Sequence, residues 1–262
     1  MAAYYNEFDP FAAAWLRELI KDGLIADGVV DERSILDVDA NDIREFTQCH
    51  FFAGIGGWSY AARLAGWPDD RPMWSGSPPC QPFSSAGKRK GKDDERHLWP
   101  AFFNLISKQK PPVVFGEQVV PAIRDEWFDD LRSDMEAESY ATGMVVLPAC
   151  SVGAFHKRDR LFYVAAMANT DDKGSQGTML SGEQQIQEGW EGAEGYNTKD
   201  SVADSWRRSG SIMARDGAIR ATPLQPEIRP MVNGLSNPVG ILRGAGNAIV
   251  PQVAAEVIKA YM

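Results

Sequence analysis

The sequence predicts an α/β protein built on an open, doubly wound sheet with a small irregular second domain. Apolar runs of strand length alternate with segments of helical periodicity up to residue 167, and a glycine-rich turn joins the run at 48–53 to a helix. Residues 169–240 lose that periodicity and are rich in Gly, Ser, Gln, Glu and Asn. We therefore predict a first domain over 1–168, a second region over 169–240, and a turn and helix over 241–262 that return to the first domain.

The predicted elements follow one another at short spacing. Residues 10–21 have helical periodicity, with Asp9 at the cap position and Pro10 in the first turn. The later elements, in chain order, are a strand at 48–53, a helix at 58–67 closed by Gly66, a strand at 72–77, a helix at 97–110, a strand at 113–116, a helix at 125–141, strands at 143–150 and 160–167, and a helix around 253–258.

Composition and charge exclude several classes of protein. The chain of 262 residues is 44% hydrophobic and 24% charged, which excludes wholesale disorder, collagen and coiled coils. No window approaches the roughly 18 apolar residues of a membrane span. The N-terminus lacks the features of an export signal, so we expect a cytoplasmic protein that does not enter a membrane. A net charge of −9 argues against a general nucleic-acid coat, but bases cluster at 88–92, where they suit either a phosphate-contacting face or a solvated loop.

The three cysteines differ in their surroundings. They are too few and too scattered for a disulfide framework, and no Cys/His cluster indicates a metal site. A buried structural thiol is expected for Cys49 and Cys150. Cys80 lies instead in the run PPCQPFS, where flanking prolines exclude regular structure, and basic residues follow it. This pattern predicts an exposed, reactive thiol on a stiff turn.

Three further motifs place chemically useful residues at the ends of predicted strands. The glycine-rich turn FFAGIGG (51–57) suits a ligand at a helix N-terminus, although such turns also serve packing. Glu117 follows the strand at 113–116, where an acid either faces the crevice of the sheet or caps the strand. In HKRDR, Arg158 and Arg160 are two apart before a strand and share a face, as site residues or as a solvated pair.

Together and in this order, these motifs resemble those of the cytosine-C5 DNA methyltransferase family. FAGIGG (52–57) resembles the family's cofactor loop, and PPCQPFS (78–84) resembles its nucleophile loop. GEQV (116–119) resembles the ENV signature, HKRDR (156–160) the QxRxR element, and GNAIVP (246–251) the GNSVxP element. The departures are Gln118 for asparagine, His156 for glutamine and Ala248 for serine. The resemblance implies a Rossmann-like methyltransferase sheet, and the thiol, the glutamate and both arginines are retained.

Two cofactor elements of the family occupy an unusual place in this chain. In the family they lie between the glycine loop and the cysteine loop, which are here separated by only about two dozen residues. NEFDPFAAAW (6–15) resembles the second element, and DERSILDV (31–38) resembles the third more weakly. The resemblance therefore implies a rearranged order, in which strands two and three precede strand one. The alternative is that residues 1–48 form an unrelated helical cap.

The resemblance also implies S-adenosylmethionine as cofactor, DNA as partner and no metal. Cys80 would add to carbon 6 of a flipped cytosine, Glu117 would act at N3 and the exocyclic amine, Arg160 would contact O2, and Arg158 would brace the two loops. Cofactor contacts are implied for Glu7, Phe8, Ser34, Ile35, Phe52, Ala53, Gly54, Ile55, Gly56, Gly57, Asn247 and Ala248. DNA contacts are implied for Pro79, Gln81, Ser84, Lys88, Arg89 and Arg96.

Within the implied cofactor site, Glu7 would accept the ribose hydroxyls, and Phe8 and Ile35 would pack on the adenine. Ser34 stands where the family often has aspartate, which leaves Asp31 as an alternative partner for the adenine amine. The region at 169–240 occupies the place of the family's target-recognition domain. The resemblance suggests a role in bacterial or phage restriction-modification.

Several alternatives stay open from the sequence alone. The same site would serve an RNA cytosine methyltransferase or a relative that transfers a group other than methyl. A catalytically silent DNA-binding or regulatory relative would keep the fold without the reaction. A nicotinamide-dependent dehydrogenase would share the glycine turn and the sheet, but it would leave Pro-Pro-Cys-Gln without a role. Oligomeric state is not predicted.

Overall fold

The first compact unit is built on a seven-stranded mixed sheet. A computed structural model describes residues 3–79, 98–121, 127–154, 156–167 and 248–262, and the backbone of 209–213 and 219–223. The strands are β1 (Ala3–Asn6), β2 (Gly28–Asp31), β3 (Gln48–Phe51), β4 (Met73–Gly76), β5 (Val113–Val119), β6 (Tyr140–Pro148) and β7 (Asp159–Met167). Their order across the sheet is β2-β1-β3-β4-β5-β7-β6. All pairs from β2 to β5 are parallel, and β7 is antiparallel to both of its neighbours.

The N-terminal segment contributes two strands rather than a helical cap. β1 pairs in parallel with β2 on one side and with β3 on the other, so that Tyr5 lies opposite both Val30 and His50. Two strands that precede β3 in the sequence therefore occupy the two sheet positions beyond it. This is the strand placement that the rearranged order requires. The carboxyl ends of the three parallel strands meet at one edge of the sheet, where ligands bind in such folds.

Helices cover both faces of the sheet, as expected for a doubly wound fold. They are α1 (Pro10–Lys21), α2 (Gly57–Ala65), α3 (Trp99–Gln109), α4 (Trp127–Ala137) and α5 (Pro251–Tyr261). Phe115 of β5 packs in one apolar cluster with α2 and α5, whereas its neighbour Val114 packs in another with α3 and α4. Since successive strand residues point to opposite faces, the two clusters lie on opposite sides. The predicted fold class is confirmed.

The helix α1 begins where its sequence predicts. The Asp9 side chain accepts hydrogen bonds from the backbone N–H groups of Phe11 and Ala12, and Pro10 occupies the first turn. Pro10 is tolerated there because its missing N–H would have no partner within the helix. None of the helices in the described part of the chain is long and apolar enough to cross a membrane.

The helix predicted at 125–141 ends at Ala137, and β6 begins at Tyr140 rather than at residue 143. Two errors in the predicted ends of strands have consequences for the site. β5 does not end at Gly116 but continues to Val119, because β7 pairs with it as far as that residue. Glu117 therefore lies inside a strand rather than after one. β6 ends at Pro148 and passes into a 3₁₀ turn, which exposes Cys150. The predicted burial is confirmed for Cys49 and wrong for Cys150.

The chain divides into two compact units, one of Met1–Met167 with Met231–Met262 and one of Ala168–Pro230. In the second unit, β8 (Ser209–Met213) and β9 (Ile219–Pro223) form an antiparallel pair. That this unit recognises the target stays a prediction.

Candidate active site

The glycine turn after β3 has backbone conformations that favour glycine. Gly54 and Gly56 have φ angles of 55° and 79°, in the left-handed region that other residues rarely adopt. A Cβ on Gly57 would lie 2.7 Å from Cγ1 of Ile249, so the segment before α5 packs directly on this turn. A Cβ on Gly54 would meet nothing closer than the Phe52 carbonyl oxygen at 4.0 Å. The turn is therefore packed at its base and open at Gly54.

Glu7 connects the N-terminal segment to this turn. Its Oε2 accepts a hydrogen bond of 2.7 Å from the Gly54 N–H, and its Oε1 accepts one of 2.9 Å from the Asp9 N–H. The Ala53 N–H donates to the Asn6 carbonyl at 3.0 Å. Burial raises the pKa of Glu7, against the opposing effect of the two N–H donors. The acid and the glycine turn predicted to share a cofactor are thus in direct contact.

The residues predicted around the adenine differ in exposure. Phe8 is 71% exposed just beyond β1, whereas Ile35 is buried in the core and offers no surface to a ligand. Ile35 and Leu36 belong to one 3₁₀ turn, Ile35–Asp37, in which the side chain of Leu36 is 68% exposed. The Ser34 hydroxyl accepts a hydrogen bond of 3.3 Å from the Leu36 N–H and so caps the turn. Asp31 is held in an ion pair of 2.7 Å with the arginine two residues later.

Glu117 and Arg160 form an ion pair across the β5–β7 ladder. Nε of Arg160 lies 2.7 Å from Oε1 of Glu117, and the glutamate is only 8% exposed. Burial raises the pKa of Glu117 to about 7, and the attraction of Arg160 and Arg158 only partly opposes this shift. A buried carboxyl that titrates near neutrality is able to give or take a proton at neutral pH.

Arg158 joins the C-terminal element to this pair. Its Nη2 donates a hydrogen bond of 2.8 Å to the Ala248 carbonyl, and its φ of 35° turns the backbone sharply just before β7. Burial and the nearby positive charge of Arg160 lower its pKa. Arg158 thus hydrogen-bonds the C-terminal element and also acts electrostatically on Glu117, the ion-pair partner of Arg160.

The chain leading to the cysteine loop is hydrogen-bonded to the strand that carries Glu117. The Ser77 hydroxyl accepts from the Glu117 N–H at 3.2 Å and from the indole N–H of Trp58 in α2 at 3.0 Å. The side-chain amide of Gln118 donates to the Pro78 carbonyl at 3.1 Å. Gln118, a departure from the family's asparagine, thus keeps a supporting contact. One serine connects the helix after the glycine turn, the cysteine loop and the acid.

The family model described as C-5 cytosine-specific DNA methylase matches residues 67–208. The chain belongs to the C-5 cytosine-specific DNA methylase family. This membership confirms the resemblance that the motifs predicted. The matched range contains the cysteine loop, Glu117 and both arginines, whereas Glu7 and the glycine turn precede it.

Several known proteins are similar to this chain. Type II methyltransferase M.AplI of Arthrospira platensis is 33% identical over 92 residues, which cover 34% of this chain and 27% of that protein. Type II methyltransferase M.NgoMIV of Neisseria gonorrhoeae is 33% identical over 97 residues, which cover 36% of this chain and 31% of that protein. The matches thus span less than a third of the length of these relatives. The crystal structure of a DNMT2 mutant of Spodoptera frugiperda has a TM-score of 0.45 at 14% identity, covering 64% of this chain and 43% of that one.

Some of the predicted site residues lie outside the described residues: Cys80, Gln81, Ser84, Lys88, Arg89, Arg96 and Asn247. Pro79, the residue before the cysteine, is exposed. Sequence reasoning did not select Ser77 or Trp58, because their contacts depend on strand placement and leave no local pattern. The position of Ser77 directly before the two prolines was the one available signal.

Proposed function

We propose that this chain is a DNA cytosine-5 methyltransferase that uses S-adenosylmethionine and forms a covalent adduct between Cys80 and a flipped cytosine. The observation that carries the proposal is the buried Glu117–Arg160 pair, whose strand holds the start of the cysteine loop through Ser77. Two residues separate Ser77 from Cys80. The proposed nucleophile therefore closely follows a serine that is hydrogen-bonded to the backbone of the proposed acid.

The proposed chemistry starts from the weak nucleophilicity of carbon 5 of cytosine. The Cys80 thiolate forms a bond to carbon 6, and the ring electrons move toward N3. Glu117 gives its proton to N3, and its raised pKa keeps that proton available near neutral pH. Arg160 stabilises the charge that develops at O2. Carbon 5 would then take the methyl group that the bound donor supplies. Removal of the carbon 5 proton breaks the bond between carbon 6 and sulfur, which releases the Cys80 thiolate, and N3 returns its proton to Glu117.

The residues beside the glycine turn fit an S-adenosyl cofactor. The Glu7 carboxylate suits two ribose hydroxyls, and the backbone at Gly54 is open to a ligand. Phe8 and Leu36, both exposed beyond the carboxyl ends of neighbouring strands, offer apolar surface to an adenine ring. When bound, S-adenosylmethionine supplies an electrophilic methyl group on a sulfonium. Leu36 replaces Ile35 in this proposal, because Ile35 is buried.

The proposed substrate is double-stranded DNA, whose target base must leave the stack to reach the thiol. In this proposal the basic run at 88–92 contacts phosphates beside the cysteine loop. The second unit, Ala168–Pro230, contributes the base-reading contacts. A reader of this size suits a short target site.

The decisive test is transfer of labelled methyl from S-adenosylmethionine to DNA and to tRNA by the purified chain. We expect 5-methylcytosine in DNA by mass spectrometry, no label in tRNA, and no transfer by Cys80→Ser. The matched control is Cys150→Ser, which changes an exposed cysteine of the β6–β7 connection and leaves turnover intact. Label in tRNA alone would identify an RNA methyltransferase. Turnover by Cys80→Ser would refute the covalent mechanism.

A further inference from the structure

Tyr163 is a buried residue of β7 that no motif selects. It lies directly opposite Gly116 of β5 and is only 1% exposed. Its hydroxyl donates a hydrogen bond of 2.9 Å to the carbonyl of Gly76, the last residue of β4. The registered pairs between β4 and β5 end at Ser75 and Phe115. The phenol therefore continues the attachment of β4 to the sheet beyond the end of that ladder.

Glycines stand at two closely packed positions around this contact. A Cβ on Gly116 would lie 2.1 to 2.3 Å from atoms of the Tyr163 ring, and a Cβ on Gly76 would lie 2.3 Å from Cε1 of Phe102. Both distances are far inside van der Waals contact, so neither position accepts a side chain while these rings are in place. Gly116 thus leaves room for the phenol, and Gly76 leaves room for the Phe102 ring beside the carbonyl that accepts the hydrogen bond.

We propose that Tyr163 is a positioning residue for methyl transfer, which sets the backbone leading to Cys80 at a fixed place relative to Glu117. The inference rests on the proposed function, since it concerns the thiol and the acid assigned there. Three residues separate Gly76 from Cys80, and Gly116 directly precedes Glu117. One side chain therefore contacts the backbone beside both groups.

The hydroxyl, rather than the ring, carries the positioning role. Its removal leaves the ring packed on Gly116 but deprives the Gly76 carbonyl of its donor. A buried carbonyl without a partner is unfavourable, so the backbone moves toward another donor or toward water. A displacement of about 1 Å at a reacting group lowers turnover by up to roughly 100-fold.

The test compares Tyr163→Phe with Tyr140→Phe. Tyr140 of β6 is a matched control, because its buried hydroxyl also donates to a carbonyl, that of Pro111, at 2.7 Å before the start of β5. We expect similar losses of Tm in the two variants. In Tyr163→Phe, kcat falls by about tenfold or more while KM for DNA stays within about twofold. In Tyr140→Phe, kcat is unchanged. Equal kcat values in the two variants would overturn the inference.

A second measurement does not depend on turnover. The rate at which iodoacetamide alkylates Cys80 is followed by peptide mass spectrometry, with the exposed Cys150 as internal reference. We expect Tyr163→Phe to change the Cys80 rate by about threefold or more and Tyr140→Phe to leave it unchanged. If the parent chain transfers no methyl group, the proposed function fails, and the alkylation rates still decide the role of Tyr163. Equal alkylation of Cys80 in both variants would overturn that role.

Discussion

The carboxylate of Glu7 accepts a hydrogen bond of 2.7 Å from the backbone N–H of Gly54, 47 residues further along the chain. Glu7 follows β1 and Gly54 follows β3, and these strands are neighbours in the sheet. Their contact depends on the position of the strands in the sheet, and the order in which the chain visits them has no effect on it. A rearranged sequence is therefore compatible with an intact cofactor site.

The first prediction concerns Glu7→Gln. The variant has one side-chain oxygen for two N–H donors, and it removes the charge that would accept the ribose hydroxyls. Because hydrogen bonds to a charged group contribute about 1.5–3 kcal/mol, we expect the Kd for S-adenosylmethionine to rise by about tenfold or more. Isothermal titration calorimetry measures it. Glu32→Gln, at an exposed ion pair with Arg17, is the control and keeps the parent Kd. An unchanged Kd in Glu7→Gln would remove Glu7 from the site.

The second prediction concerns the stability of Glu117→Gln at different pH values. Because the pKa of Glu117 is about 7 in the folded chain and near 4.5 when unfolded, the folded state binds more protons between these values. The parent therefore loses stability from this group as pH rises from about 5 to 8, whereas the glutamine variant does not. We expect the free energy of unfolding of the variant, relative to the parent, to increase over this range in urea titrations.

The control for that experiment is Glu136→Gln, which changes an acid in an exposed ion pair with Arg132 on α4. Its free energy of unfolding relative to the parent stays nearly constant over the same pH range. If the free energy of unfolding of Glu117→Gln relative to the parent also stays constant over this pH range, Glu117 is ionised in the folded chain over the whole range. That result would contradict its assignment as a proton donor.

The third prediction concerns Gln118→Leu, which keeps most of the side-chain volume but removes the donor to the Pro78 carbonyl. We expect kcat to fall by about tenfold, because the cysteine loop loses a point of attachment, while the Kd for S-adenosylmethionine stays the same. Gln109→Leu is the matched control, since Gln109 donates from its side-chain amide to the Ala40 carbonyl at 2.6 Å, away from the loop. Should both variants retain the parent kcat, the support assigned to Gln118 is absent.

The fourth prediction concerns His50, which lies on β3 between the hydroxyl of Ser75 at 2.8 Å and the carbonyl oxygen of the Gln48 side chain at 3.4 Å. Burial lowers its pKa to about 3, and the negative charge of Asp69 opposes this only weakly. The unfolded chain therefore binds a proton below about pH 6.5 that the folded chain does not. The free energy of unfolding decreases as the pH is lowered through that range.

We expect His50→Gln to show a flatter dependence of the free energy of unfolding between pH 6.5 and 4 than the parent. Chemical denaturation at several pH values measures this slope. His156→Gln, which changes an exposed histidine, keeps the parent slope. An unaltered slope in His50→Gln would mean that other groups account for the acid sensitivity.

The parts of the fold that the sequence predicts correctly have local causes. The helix α1 carries its cap, its first-turn proline and its apolar face within twelve consecutive residues. The strands β1 and β2 were implied by the family resemblance alone and not by periodicity, because AYYN and GVVD are only four residues long and become strands through pairing with their neighbours. Glu117 was expected after its strand for the same reason, since its pairing with Phe162 is contributed by a segment more than forty residues later.

In the candidate site, too, local features are predictable from the sequence and contacts between distant segments are not. Its chemically distinctive residues, such as Cys80 and Glu117, are evident from motifs, whereas the contacts that hold them are not. Ser77 is unremarkable in sequence until β4, β5 and α2 are brought together around its hydroxyl. The burial that raises the pKa of Glu117 likewise comes from packing of distant segments and has no signature in GEQV.

Because β1 and β2 precede β3, the residues proposed to bind the methyl donor and those proposed to act on the base lie in separate parts of the sequence. The ribose and adenine contacts proposed for Glu7, Phe8 and Leu36, and the glycine turn itself, are encoded before residue 66, whereas the groups assigned to the pyrimidine are encoded after it. A recombination event at that single point would exchange the donor-binding part of the sequence. An exchanged part would still have to fit Ser77 and Ile249, which contact Trp58 and Gly57 across that point.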